Sequence, residues 1–265
     1  MNNLARFRTR VIAAIISSAV RLWRPCARAV PYLLAVLFLT SQPDAARLRS
    51  DTSAPTTGPV IVIGFVGGYV RPDDNVHGVV QLATRLRKDF QSNVFVETVE
   101  NHREPKARED ILRLLDIDHA GQPSNEERRN ARIIIYGHSW GGSETVTLAR
   151  DLQKDGIPVL LTVQVDSIAK RGENDGIIPA NVAQAVNFYQ LNGYLHGRAE
   201  IRAADATRTK IIGNFRYDYA TNQPNCDQYP WYDRVFMKAH TEMECDPEVW
   251  NRVESLIRSE LPQPK

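Results

Sequence analysis

"RIIIYGHSWGGSETVTLARDL", Arg132 to Leu152, is the stretch whose reading decides the fold. "RIIIY" is a short run of apolar, mostly β-branched residues, which reads as a buried strand. "GSETVTLARDLQKDG" places Val146, Ala149 and Leu152 on one side of a helix that ends at Gly156. Between them lies "GHSWG", a G-x-S-x-G pattern from Gly137 to Gly141. Alone the pattern is weak. A strand running directly into it and a helix leaving it directly supply the context in which its serine is held up as a nucleophile. The turn forces Ser139 into an unfavourable backbone conformation, and its neighbours must pack closely between strand and helix. That asks for residues without a Cβ at Gly137 and Gly141. The hydroxyl then projects above the sheet, at the positive end of the following helix. The competing reading is a structural glycine-rich turn in which Ser139 does no chemistry.

Outward from this turn, strands and helices alternate. "VIVIGFV" (Val60 to Val66) and "NVFVETV" (Asn93 to Val99) read as strands before it, and "PVLLTVQVD" (Pro158 to Asp166) as a strand after it. Between the first two, Val79, Ala83, Leu86 and Phe90 recur at helical spacing, with Asp73, Asp74 and Asn75 as possible N-caps. Asn101 to Asn130 is strongly charged, with a helical patch around "EDILRLLDI". "NVAQAVNFYQ" reads as a helix or turn that ends as a strand. "DPEVWNRVESLIRSEL" is a terminal helix, with Asp246 as its cap and Pro247 at N1. The pattern predicts an α/β fold: an open, mostly parallel sheet with helices on both faces. Active sites of such sheets form at the carboxyl ends of the strands.

The N-terminus has a different character. Residues 1–29 hold six arginines and no acid, and "AVPYLLAVLFLT" (Ala29 to Thr40) follows. That apolar stretch falls well short of the roughly 20 residues a bilayer span needs. A basic leader before a short apolar stretch predicts an export signal, or an uncleaved membrane anchor, over residues 1–49. The product would be exported, periplasmic or secreted, or held at a membrane through this segment. Residues 50–59 read as a linker, and 60–265 as one folded domain. The whole chain has 33 basic and 31 acidic side chains and a net charge of +2. Six arginines and Asp44 fall within residues 1–46, so the remainder carries −3. A mildly acidic domain argues against a broad nucleic-acid-binding surface. No C-x-x-C or H-E-x-x-H occurs, so no metal is expected. Cys226 and Cys245, the two cysteines of the mature part, suggest one disulfide in an oxidising compartment; two free buried thiols are the other reading.

A serine hydroxyl needs a base. Of six histidines, His138 adjoins Ser139, but consecutive residues on a tight turn point apart. His77 stands near the start of the first helix, where it could line the site. His240, in "MKAHTEMECDPEVW", falls on a stretch read as a loop leading into the terminal helix, and it is the expected base. The third group must orient the imidazole and stabilise its charged form. Asp166 ends a strand and is favoured over Asp175 on the loop beyond, because a strand end positions a side chain better. Two N–H donors for an oxyanion are expected from Trp140 and from the "GFVGGY" turn, at Phe65, Val66 or Gly67.

With these residues in place, the chain resembles the α/β-hydrolase superfamily, in particular its serine lipases, esterases and thioesterases. The resemblance covers about Val60 to Leu261. It rests on the "GHSWGG" elbow, the order Ser139, Asp166, His240, and the "GFVGG" turn after an early strand. It implies hydrolysis of a small-molecule acyl ester or thioester through an acyl-enzyme, with no cofactor. Acid placement directly after the strand that follows the elbow helix is a variant among lipase-like members, which keeps Asp175 in view. Lipases that act at lipid surfaces have an apolar lid, whereas the longest insertion here, Asn101 to Asn130, is charged. A soluble or partly soluble substrate is therefore expected. "NFYQLNGYLHGR", Trp231 and Tyr232 could line an acyl pocket or simply pack. A disulfide bracketing His240 would pin its loop. Acyl transfer to an alcohol or amine would use the same groups. A non-catalytic binding or envelope protein would keep the fold without the chemistry. A nucleotide-binding reading fails, because "GFVGGYV" lacks the G-x-G-x-x-G spacing.

Overall fold

The computed structural model describes residues 58–90 and 94–263; the expected leader and most of the expected linker lie outside them. In chain order the elements are β1 (Val60–Val66), α1 (Gly78–Asp89), β2 (Val94–Glu100), α2 (Glu104–Leu115) and α3 (Asn125–Arg129). They continue with β3 (Arg132–His138), α4 (Trp140–Lys154), β4 (Val159–Val165), β5 (Ile177–Ile178), β6 (Val182–Gln190) and β7 (Arg202–Ala203). The last are β8 (Lys210–Tyr217), α5 (Trp231–Phe236), α6 (Lys238–Cys245) and α7 (Pro247–Ser259).

Six strands make one sheet in the order β2-β1-β3-β4-β6-β8, and every neighbouring pair is parallel. The central strands β1, β3 and β4 are buried almost throughout, which is why they read as unbroken runs of Ile and Val rather than alternating patterns. Alternate side chains feed two cores. On one face Val62, Ile134 and Val163 meet Val79, Leu82 and Leu86 of α1 and Val249, Trp250, Val253 and Ile257 of α7. On the other, Ile61, Ile63, Ile133 and Ile135 meet Ala107, Ile111 and Leu115 of α2 and Val146, Ala149 and Leu152 of α4. Each fully buried Leu or Ile contributes roughly 1.5–3 kcal/mol of burial, and the parallel pairing brings the carboxyl ends of all six strands to one edge.

Three local expectations change. "NVAQAVNFYQ" is strand from Val182 onward, because its apolar residues Val182, Ala185, Val186 and Phe188 pack into both cores at once. Helix α1 has His77 at its N-cap, with no side-chain cap bond; Asp74 instead accepts from the Val76 N–H within the preceding turn. The charged segment 101–130 is no insertion above the sheet. It is the crossover from β2 to β3, and α2 covers one sheet face with its apolar side, burying Glu104 and Asp110 along with Ala107, Ile111 and Leu115. Asp246 does cap α7, accepting from the Glu248 N–H at 2.8 Å, with Pro247 behind it.

Candidate active site

Ser139 lies between β3 and α4 with φ 57° and ψ −126°, a conformation that L-residues avoid. Close packing over-determines it. A Cβ on Gly137 would stand 2.2 Å from the Gly141 carbonyl oxygen, and one on Gly141 would stand 2.1 Å from that of Phe65. Strand end, helix start and the end of β1 therefore touch backbone to backbone, as only glycine permits. The Ser139 N–H donates to the Val165 carbonyl, and the Ser139 carbonyl accepts from Gly142 and Ile168. The elbow is thus tied to the segment that carries Asp166.

Asp166 follows β4 directly, fully buried, with φ 42°. Its Oδ2 lies 2.7 Å from His240 Nδ1 and accepts from Gln190 Nε2 at 2.8 Å. Its Oδ1 accepts from the Gly197 N–H at 2.6 Å. Burial pushes the carboxyl up, and these bonds from His240, Gln190 and Gly197 more than offset it, so its pKa lies below the ordinary value. Gln190 and Gly197 carried no role in the sequence reading. A Cβ on Gly197 would come 2.6 Å from Asp166 Cα, so the "HG" of "GYLHGR" is what lets that loop close on the carboxylate.

Asp175 is equally buried but turned elsewhere: it accepts from Ser167 Oγ and from Arg198 Nε, each at 2.6 Å. The structure brings Asp166, and not Asp175, to His240. His240 itself lies in the first turn of α6 rather than on a loop. Its Nδ1 is occupied by Asp166, which leaves Nε2 as the nitrogen free for chemistry.

Ser139 and His240 both line a cavity of about 610 Å³. Trp140 and Gly67 line it too; Val66, the last residue of β1, is buried and does not. A Cβ on Gly67 would stand 2.9 Å from Ser139 Cβ, so the Gly67 backbone passes directly beside the serine. Tyr69, Ile168, Leu195, Tyr232 and Met237 give the cavity an apolar side. No residue of 101–130 reaches it. The short α5 contributes Tyr232 and Asp233 to its lining, and Trp231, Tyr232, Val235 and Phe236 of that helix are exposed.

The opposite side is polar, and the sequence reading largely missed it. Glu244, one helical turn after His240 on α6, places Oε1 2.8 Å from His77 Nδ1 and 3.5 Å from His138 Nδ1. The rings of His138 and His240 lie 4.5 Å apart and tilted by 32°. Burial lowers the His138 pKa to about 4, so that ring is neutral. Burial raises the Glu244 carboxyl, but His138, His77 and His240 more than reverse it, to about 2. His77 is lowered by burial and raised further by Glu244, Asp74 and Asp233. Only the i,i+4 spacing of His240 and Glu244 could have signalled the pairing, and it has meaning only once α6 is known to be helical.

Cys226 and Cys245 are disulfide-bonded, with Cα atoms 5.7 Å apart, and the bridge spans the segment holding α5 and His240. Among the described residues no group of His, Cys, Asp and Glu has the arrangement of a metal site.

A parallel sheet in this order, with the serine turn at the end of its third strand, defines the architecture. The fold is of the α/β-hydrolase type. No family model and no curated sequence relative matches the chain. Solved structures similar to it include a mutant form of the esterase rPPE, at 11% identity and TM-score 0.41 over 79% of this chain and 77% of that one. A cutinase-like protein from Cryptococcus sp. follows at 12% identity and TM-score 0.37, over 79% and 98%. The fluorophosphonate-binding serine hydrolase F of Staphylococcus aureus follows at 14% and TM-score 0.30, over 76% and 89%. These likenesses are distant, and the fold rests on its own strand order and elbow.

Proposed function

We propose that this chain is a serine hydrolase that cleaves a carboxylic ester or thioester through an acyl-enzyme on Ser139. The observation that carries the reading is the 2.7 Å bond between Asp166 and His240 beside a serine held on a strained turn, all in one cavity. Strain at a non-glycine residue persists only where the surroundings enforce it, and it concentrates at functional turns.

In the proposed reaction Ser139 Oγ attacks the substrate carbonyl carbon while His240 Nε2 takes its proton. The carbonyl oxygen becomes an oxyanion, met by the N–H groups of Trp140 and Gly67. One such donor is worth roughly 3 kcal/mol of transition-state stabilisation. Collapse breaks the bond to the leaving oxygen or sulfur, which receives the proton from His240. Water then attacks the acyl-enzyme with His240 again as base, releasing the carboxylic acid and restoring Ser139. Asp166 keeps the imidazole in the tautomer with Nδ1–H and faces its positive charge when it forms. The apolar side of the cavity suits a modest acyl or alcohol group, and no cofactor is required.

Treatment of the folded protein with a fluorophosphonate probe tests this, with Ser139→Ala as control. Labelling of the wild type and not of the variant is the expected result. A folded wild type that resists the probe, and turns over neither p-nitrophenyl esters nor acyl thioesters, would make "GHSWGG" a structural turn.

A further inference from the structure

A second buried carboxylate stands behind the base. Glu244 is only 7% exposed, and among the described residues no lysine or arginine forms an ion pair with it. It is clamped between His77 and His138, and His138 lies ring against ring with His240. The main chain holds it too, since the Glu244 carbonyl accepts from Trp250 Nε1 at 2.5 Å and so docks α6 on α7. Burying a carboxylate this way costs several kcal/mol unless it is paired.

We infer that Glu244 is a positioning residue for the base: its carboxylate, held by His77 and His138 and only partly offset by His77, places negative charge near His240 that supports the proton His240 takes from Ser139. This rests on the serine-hydrolase reading for its catalytic meaning. Three structural facts support it. His240 and Glu244 share one face of α6, a turn apart. His138 stands between the two, its Nδ1 3.5 Å from the carboxylate and its ring 4.5 Å from that of His240. And Asp166 holds only the Nδ1 side of the imidazole, so the charge that forms there has room for a second stabilising group.

The other titratable groups around the pair are few. Asp166 faces it from the end of β4, His138 from β3, and Asp74 and His77 from the turn before α1. Asp233 of α5 adds negative charge to the same cluster, and its own carboxyl is raised by burial and by Glu244. Tyr229 and Tyr219 are buried phenols held neutral, Tyr219 donating to Asp246. Lys238 of α6 is spent on Glu242.

The test is a histidine NMR titration of the wild type, E244Q and H77Q, with H240Q to assign the base. Removing the negative charge destabilises the imidazolium, so the His240 midpoint should fall in E244Q by about half a pH unit or more. Removing the counter-ion in H77Q leaves Glu244 less neutralised, so the midpoint should rise. The acid limb of kcat/KM should move in the same two directions, and E244D should recover part of the shift. A purely structural role would lower stability in both variants without opposite shifts. An unmoved midpoint in folded E244Q overturns the inference; should E244Q not fold, an unmoved midpoint in H77Q does so. Fluorophosphonate labelling is read separately: shifts without labelling would sink the hydrolase reading alone, and labelling without shifts would sink this inference alone.

Discussion

Asp166 and Asp175 are both buried, and only one of them reaches a histidine. Their variants should therefore separate. Asp166→Asn would let the imidazole settle in the wrong tautomer, and kcat should fall about 10⁴-fold with little change in fold. Asp175→Asn removes the charge paired with Arg198 and one of the two acceptors shared by Ser167 and Arg198; it should lower Tm, while the folded fraction keeps a kcat near the wild type. Steady-state rates and thermal melts on the same two samples decide it; a large kcat loss in Asp175→Asn would reverse the assignment. Residues such as Ser139 and Asp166 were legible in the sequence because each sits where one kind of element ends. Gln190, Gly197, His138 and Glu244 were not. Their roles come from contacts between segments far apart in the chain, such as the Gly197 N–H that closes on Asp166, and no local period encodes such contacts.

The central elements were readable for the same physical reason that they are central. Strands buried on both faces must be continuous Ile and Val, and α7 announces itself through Asp246, Pro247 and one apolar stripe. The segment between β8 and α7 was opaque. Helix α5 is six residues long with its apolar side chains exposed, and α6 is eight residues long with buried Thr241, Glu242 and Glu244, so neither shows an amphipathic period. Such short helices are marginal by themselves and need tertiary support. The Cys226–Cys245 bridge, with a sequence separation of 19, supplies it. Closing a loop of that length stabilises by about 3 kcal/mol. Reduction should lower the urea midpoint accordingly and weaken activity first, since His240 rides on the stapled segment. Alkylation of the unreduced protein checks the premise: two modifiable thiols would remove it.

At the scale of the molecule, buried ionisable groups pull stability in opposite directions with pH. Glu104 on α2 is raised to about 7 by burial, by Asp151 and Glu144 of α4, and by a bond with Asp151. Between its ordinary 4.5 and about 7 the folded protein keeps a proton that the unfolded chain has released, so stability falls as pH rises, by on the order of 2–3 kcal/mol. Glu244 and Asp166 act the other way. Their folded pKa values lie below the ordinary ones, so their contribution is complete above the unfolded pKa and is lost as pH falls through the folded one. The histidines oppose each other: the raised His77 favours the acid side of 6.5, and the lowered His138 disfavours it down to about 4. Glu104 and His138 thus oppose each other over much of the same interval, and a variant isolates the Glu104 part. In urea melts from pH 4 to pH 8, the stability of the wild type relative to Glu104→Gln should fall as pH rises from about 4.5 to about 7, and stay level outside that range. A difference between wild type and Glu104→Gln that does not change from pH 4.5 to pH 7.5 would mean that the α2–α4 contact does not hold its proton, and that Arg108, beside Asp155 and close to this carboxyl, neutralises Glu104 instead.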